Sequence, residues 1–248
     1  MKNVSVVEAD PENLTITDML GKKNISDIEI AEYDEQTEQI TLKKDSFDAV
    51  LDSISESANS GDNGIVLVDV GSGTYKDALS YMRSLGIERT IQEEGGEFWI
   101  GSVVSMKDNV ASSVQSVEDL CSTFHNVLVI DNHYNGEAKR DFEITETADP
   151  VGVIKYPRLS AQELNASDTA MSTSGITSIL EASTNKDIPF SKRSWLKKLN
   201  ELLFGDEGVF TGSEVIKRIA AIGRGDNVES IVDFHKKMKP AESDSGEG

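Results

Sequence analysis

Ile65-Val-Leu-Val-Asp-Val-Gly-Ser-Gly73 is the stretch whose reading decides the fold. With Gly64 ahead of it, the run is almost continuously apolar and β-branched, the composition of a parallel strand covered on both faces. It stops at a carboxylate, Asp69, and passes into Gly71-Ser-Gly73, a turn flexible enough to run close to phosphates. Val4-Ser-Val-Val-Glu-Ala-Asp-Pro-Glu-Asn13 repeats the arrangement, with Glu8 and Asp10 at the strand end and Pro11 behind them. Nucleotide-binding α/β folds place a Mg²⁺-facing acid in this way at the carboxyl edge of a parallel sheet.

Working outward, β-like runs fall at 4–7, 64–70, 98–104, 126–131 and 151–155. Helical periodicity occupies 46–57, 75–85 and 108–123, with Asp45 or Ser46 as an N-cap for the first. A further helix over 12–20 would be capped by Asp10. This alternation predicts an α/β fold, a doubly wound, mostly parallel sheet with helices on both faces. The segment 32–45 reads as a surface loop or edge excursion. Beyond residue 160 the pattern is helical only, at about 171–183, 191–203, 212–222 and 226–238. Trp195, Leu196, Leu199, Leu202 and Leu203 make an apolar stripe there, expected to pack in the core, with a partner groove as the alternative. The chain thus divides into an α/β core over 1–160, a helical C-terminal part of the same domain over 161–238, and a polar, disordered tail over 239–248.

The 248 residues carry 44 acidic against 24 basic side chains, a formal charge of -20. Such a surface repels nucleic acid and anionic lipid, so no direct nucleic-acid contact is expected. A single cysteine, Cys121, excludes an internal disulfide and a cysteine-built zinc site. No run approaches the roughly 18 apolar residues of a membrane span. Met1 leads directly into a strand without a signal-peptide pattern, and the expected location is the cytoplasm.

Asp69 is the leading candidate for chemistry, either as a Walker-B-like acid holding Mg²⁺ through water or as a strand-end cap for helix 75–85. Glu8 and Asp10, two residues apart, share one side of an extended segment, or serve only loop solvation and capping. Asn132 offers an amide donor and acceptor to a base, although an Asn-rich turn is equally natural there. Tyr156-Pro157-Arg158-Leu159 either walls an adenine pocket or forms a plain turn. His125 and His133 lack metal-ligand spacing, and no serine stands in a G-x-S-x-G elbow. Neither Gly71-Ser-Gly-Thr74, which no lysine follows, nor Gly21-Lys-Lys23 is a P-loop of the form G-x-x-x-x-G-K-[ST].

Asp10-Pro-Glu-Asn13, Asp69-Val-Gly-Ser-Gly73 and Asn132-His-Tyr-Asn-Gly136 resemble the motifs of the ParA/MinD-type deviant-Walker ATPases, and within them the TraL-type proteins of bacterial conjugal transfer. Glu94-Gly-Gly-Glu97, Val153-Ile-Lys-Tyr-Pro157 and Asp187-Ile-Pro-Phe190 extend the likeness, which covers roughly 4–204. The resemblance implies ATP and Mg²⁺ at the sheet's carboxyl edge and a nucleotide-dependent homodimer, or docking to a transfer-apparatus protein. By match, Asp69 is the metal-facing acid, Asp10 the carboxylate near the attacking water, Asn132 and Pro157 the adenine contacts, with Gly71 and Gly73 lining the nucleotide. Glu8 stands where the family usually has Asp.

The larger departure is the family's first strand and its Lys-Gly-Gly-x-Gly-Lys-Ser loop, which supplies the amides and lysines that neutralise a triphosphate. Family members place that strand centrally, so its loss implies a gap in the core. Either the chain starts too late, or the reading frame is split, or the sheet has closed without the strand. Glu8, Asp10 and Asp69 alone repel ATP. The sequence therefore reads as a conjugal-transfer or partition-type protein that does not turn over ATP as it stands, or as a non-catalytic pseudo-ATPase serving as a structural or regulatory partner. A small-molecule α/β enzyme using Asp10, Asp69 and a metal is a third reading.

Overall fold

The computed structural model describes residues 4–9, 25–28, 30–34, 39–59, 65–71, 74–105, 110–133, 148–171 and 179–238. Its strands are β1 (Val4–Ala9), β2 (Ile25–Asp27), β3 (Ala31–Asp34), β4 (Gln39–Leu42), β5 (Ile65–Val70), β6 (Ile100–Ser105), β7 (Val127–Asn132) and β8 (Gly152–Tyr156). Two parallel sheets result, β2-β1-β5 and β6-β7-β8, beside an antiparallel β3–β4 hairpin.

The helices of the α/β part are α1 (Lys44–Asn59), α2 (Tyr75–Leu85), α3 (Ile87–Glu93) and α4 (Val110–Thr123). Side chains alternate across each strand, and the alternation assigns the faces. Val7 and Ala9 of β1, with Val66, Val68 and Val70 of β5, pack against Phe47 and Val50 of α1 and Ala78 and Met82 of α2. On the second sheet Val104, Val127 and Val129 pack against Val117 and Leu120 of α4. Leu79 of α2 joins that second cluster, and Tyr75 and Ser116 share a 2.8 Å hydrogen bond from α2 to α4. One helical layer therefore spans both sheets.

The C-terminal part is helical: α5 (Ala161–Met171), α6 (Ile179–Thr184), α7 (Phe190–Phe204), α8 (Glu214–Arg224) and α9 (Ile231–Met238). Leu128 and Ile154, on the other face of the second sheet, pack with Val215 of α8 and Phe234 of α9. The fold is thus α/β, with parallel sheets, helices on both faces and a helical C-terminus. A Cβ on Gly223 of α8 would stand 2.6 Å from Ile65 Cδ1, so α8 closely approaches the start of β5. At its other end, Val215 lies against Gly152, where an added Cβ would come within 3.1 Å of its Cγ2. Helix α8 therefore crosses the amino-terminal ends of both sheets, and their carboxyl ends share the opposite edge.

Several expectations are corrected. The segment 32–45, expected as a surface loop or edge excursion, holds the antiparallel β3–β4 pair, a sheet of its own among the described residues, and the start of α1, and β2 adds a further strand. Helix α1 begins ahead of Asp45 and Ser46, because the Lys43 carbonyl already accepts the Ser46 and Phe47 amides. Of the helix expected at 171–183, residues 172–178 lie outside the described residues and α6 covers its end, while α5 is an additional helix. Helix α5 starts at a Ser160–Glu163 capping box, in which Glu163 Oε2 accepts from the Ser160 amide at 2.7 Å. Leu196, Leu199 and Leu203 of the α7 stripe are buried, while Leu202 faces outward. Among the described residues β5 and β6 are not paired. The expected helix 12–20 and the tail 239–248 lie outside the described residues.

Candidate functional site

The chain leaves β1 for β2 on one side, then returns to β5 on the other side of β1. In open α/β sheets such a reversal opens a crevice outside the carboxyl ends of the strands, where ligands bind. Here that crevice lies between the ends of β1 and β5. The register sets Glu8 directly across from Asp69, and Ala9 across from Val70. Asp69 shares the strand face of Ile65 and Leu67, the α8 side, and is half-buried.

The turn that follows is folded on itself. The carbonyl of buried Gly71 accepts the Thr74 and Tyr75 amides, each at 3.1 Å, and the Thr74 hydroxyl at 3.3 Å. These amides open α2 and would be the natural donors to an anion, but they are already engaged. Along the chain the strand ends carry Glu8, Asp10, Glu12 and Asp69, and the nearest basic residues are Lys22 and Lys23 after the first and Lys76 in α2 after the second. Oxygen ligands of this kind fit a hydrated Mg²⁺. They do not by themselves fit a triphosphate, whose charge the G-x-x-x-x-G-K-[ST] loop absent from this sequence would neutralise. No catalytic step through bound ATP follows from these residues.

Asn132 and Pro157 come together on the other sheet. Asn132 is in register with Tyr156, the His133 amide donates to the Tyr156 carbonyl at 3.0 Å, and Pro157 follows directly. Both are half-buried at the carboxyl edge of β7 and β8. The sequence candidates thus form two groups on one edge, Asp69 with Gly71 and Asn132 with Pro157. Asp10 and Gly73 lie outside the described residues.

Two features escaped the sequence reading. Asp131, buried at the end of β7, has Oδ2 3.4 Å from His133 Nε2. The i, i+2 spacing at a strand end was the available signal. The second is a polar network at the amino-terminal edge. Buried Arg218 of α8 pairs with Glu97, whose Oε2 also accepts from Trp99 Nε1 at 3.0 Å. Nearby, Asn126 donates to the Phe98 carbonyl at 2.7 Å and its Oδ1 lies 2.6 Å from His235 Nε2. No local pattern announces partners more than a hundred positions apart. His125 is exposed, with Nδ1 3.2 Å from Glu88 Oε2. Among the described residues no three His, Cys, Asp or Glu side chains are grouped to hold a metal. Comparisons with known protein families, with curated proteins and with solved structures give no match to this chain.

Proposed function

We propose that this protein is a ParA/MinD-type relative, TraL-like, acting in conjugal transfer or partition and not hydrolysing ATP by itself. The observation that supports this most is the Glu8–Asp69 register at the point where strand order reverses, the place where such a fold presents its metal-facing acid. Asn132 and Pro157 on the same edge suit the adenine contacts that the resemblance assigns them. Partners on this reading are a second copy or a transfer-apparatus protein. The Thr74 and Tyr75 amides, both bonded to the Gly71 carbonyl, favour the related reading of a pseudo-ATPase that works as a structural or regulatory partner.

The test is phosphate release from ATP with Mg²⁺ by the full chain. No turnover above the protein-free rate is expected. Mg²⁺-dependent turnover that disappears in Asp69→Ala would overturn the proposal.

A further inference from the structure

The acidity of this chain is confined to its first part. Residues 1–185 hold 33 acidic and 13 basic side chains and alone account for the formal charge of -20, whereas residues 186–238 hold 8 and 10. Within that second stretch α7 is the most basic element, with Lys192, Arg193, Lys197 and Lys198 against the single acid Glu201. On α8 and α9, Lys217, Arg218, Arg224, Lys236 and Lys237 are each ion-paired with a carboxylate. On α7 none of the four cations is ion-paired among the described residues. Neutral groups hold three of them instead. Lys192 Nζ donates to the Thr169 hydroxyl at 2.5 Å, Arg193 Cζ lies 5.8 Å from the Phe190 ring centroid, and Lys198 Nζ lies 4.4 Å from that of Trp195.

Position adds to the electrostatic cost. Lys192 and Arg193 stand in the opening turn of α7, where the helix dipole favours acids, and the N-cap Pro189 supplies no side-chain bond. Arg193 and Lys197 are like charges at i, i+4, a spacing that destabilises a helix. An external anion relieves all of these at once. The outward side of the helix also carries apolar surface. Leu196, Leu199 and Leu203 are buried, which turns positions 190, 194, 197 and 201 to the opposite side. Phe190 is 79% exposed at the start of that side, and Phe204, 49% exposed, flanks its far end about 21 Å along the axis.

We propose that the outward face of α7 docks an acidic amphipathic helix of a partner polypeptide. Its carboxylates meet Arg193, Lys197 and Lys198, and its apolar side chains pack on Phe190 and Phe204. Charge complementarity selects this occupant: α7 carries unpaired positive charge on a chain that is otherwise strongly acidic. A nucleic acid or an anionic bilayer extends beyond α7 and meets the acidic surface of 1–185, which repels it. A short acidic helix covers α7 alone, and it also covers the two exposed rings that bare phosphates would leave in water. Nucleotide binding is not required for it.

The test uses the full chain and a fluorescent synthetic peptide, acetyl-Leu-Ala-Glu-Leu-Glu-Glu-Ala-Leu-Ala-Glu-Leu-Glu-amide. The rest of the chain repels this peptide, so its binding reports a local basic face. Expected are one-to-one binding with Kd below about 1 mM and slowed amide hydrogen exchange confined to 190–204. Binding should weaken at least about ten-fold in the Lys197→Glu, Lys198→Glu chain, and equally for a peptide with glutamine in place of every glutamate. Lys197→Glu alone keeps the Lys198–Trp195 contact and should weaken binding about three-fold, as should Phe190→Ala at an exposed position. Circular dichroism checks the fold of each variant. No binding at about 1 mM, indifference to the double charge reversal, or protection at α8 or α9 instead would each overturn the proposal. Three further results would overturn it by naming another occupant. Faster exchange at 190–204 after removal of residues 239–248 would assign the face to the chain's own tail. A free chain that sediments as an oligomer, and as a monomer after the double reversal, would assign it to a second copy. Binding of a DNA duplex or of anionic vesicles that the same reversal abolishes would make it a polyanion surface.

Discussion

Arg218 is nearly inaccessible, and its guanidinium is held from two directions. It pairs with Glu97, and its Cζ lies 4.8 Å from the Phe234 ring centroid. A buried charge costs several kcal/mol to desolvate, so removing one partner strands the other. Arg218→Ala or Glu97→Ala is expected to destabilise by about 3–5 kcal/mol. Replacing both, Arg218→Met with Glu97→Leu, should cost much less than the sum of the two. Denaturant melts of the three variants check this, and additive losses would refute the coupling. The sequence presented Glu97 only as part of a Gly/Glu turn and gave Arg218 no role, because hydropathy along the chain does not report which distant charge shares a low-dielectric site. Asp69 differs. A carboxylate ending an apolar run is a local pattern, and its position at the carboxyl edge was legible for that reason.

At the scale of the element, α8 and α9 each carry in the first turn a carboxylate held in its ionised form. Glu214 lies below the ordinary glutamate range, first through its 2.7 Å bond from Lys217 and then through the charge of that lysine. Asp233 is lowered chiefly by the Ser230 hydroxyl, which donates to its Oδ2 at 2.6 Å. A lowered folded value means that the stabilisation is present above the unfolded carboxylate value, about 4, and is lost as pH falls through the folded value. Both helices should therefore loosen on acidification below about pH 4. Trp99, whose ring centroid lies 6.2 Å from that of Phe234, reports the undocking of α9 in a Trp195→Phe background. Glu214→Gln with Asp233→Asn should flatten the acid response, and an unchanged profile would assign it to other groups. Helix α2 shows how reliable a strong local pattern is, since its 75–85 limits were readable from periodicity alone. Helix α5 was missed although its Ser160-Ala-Gln-Glu163 start carries a capping-box signature. The weak apolar content of Ala161–Met171 hid it.

For the whole molecule, the excess of acidic side chains makes the compact state self-repelling. Raising ionic strength to about 0.15 M shortens the screening length to about 8 Å and should raise the melting temperature. A lower melting temperature in salt would show that specific ion pairs such as Arg218–Glu97 outweigh the net repulsion.

By itself the sequence determined that this chain is α/β, that its main strands run parallel, and that Asp69, Asn132 and Pro157 stand at one edge. These follow from local composition, because apolar β-branched runs and helical periodicity state what each segment needs around it. Only the tertiary structure decided which neighbours those segments obtained. It paired β3 with β4, paired Arg218 with Glu97, and, among the described residues, placed β5 and β6 in separate sheets. Pairing across long separations is a property of the assembled layers, in which burial and hydrogen bonding are settled jointly by segments that carry no mutual signal along the chain.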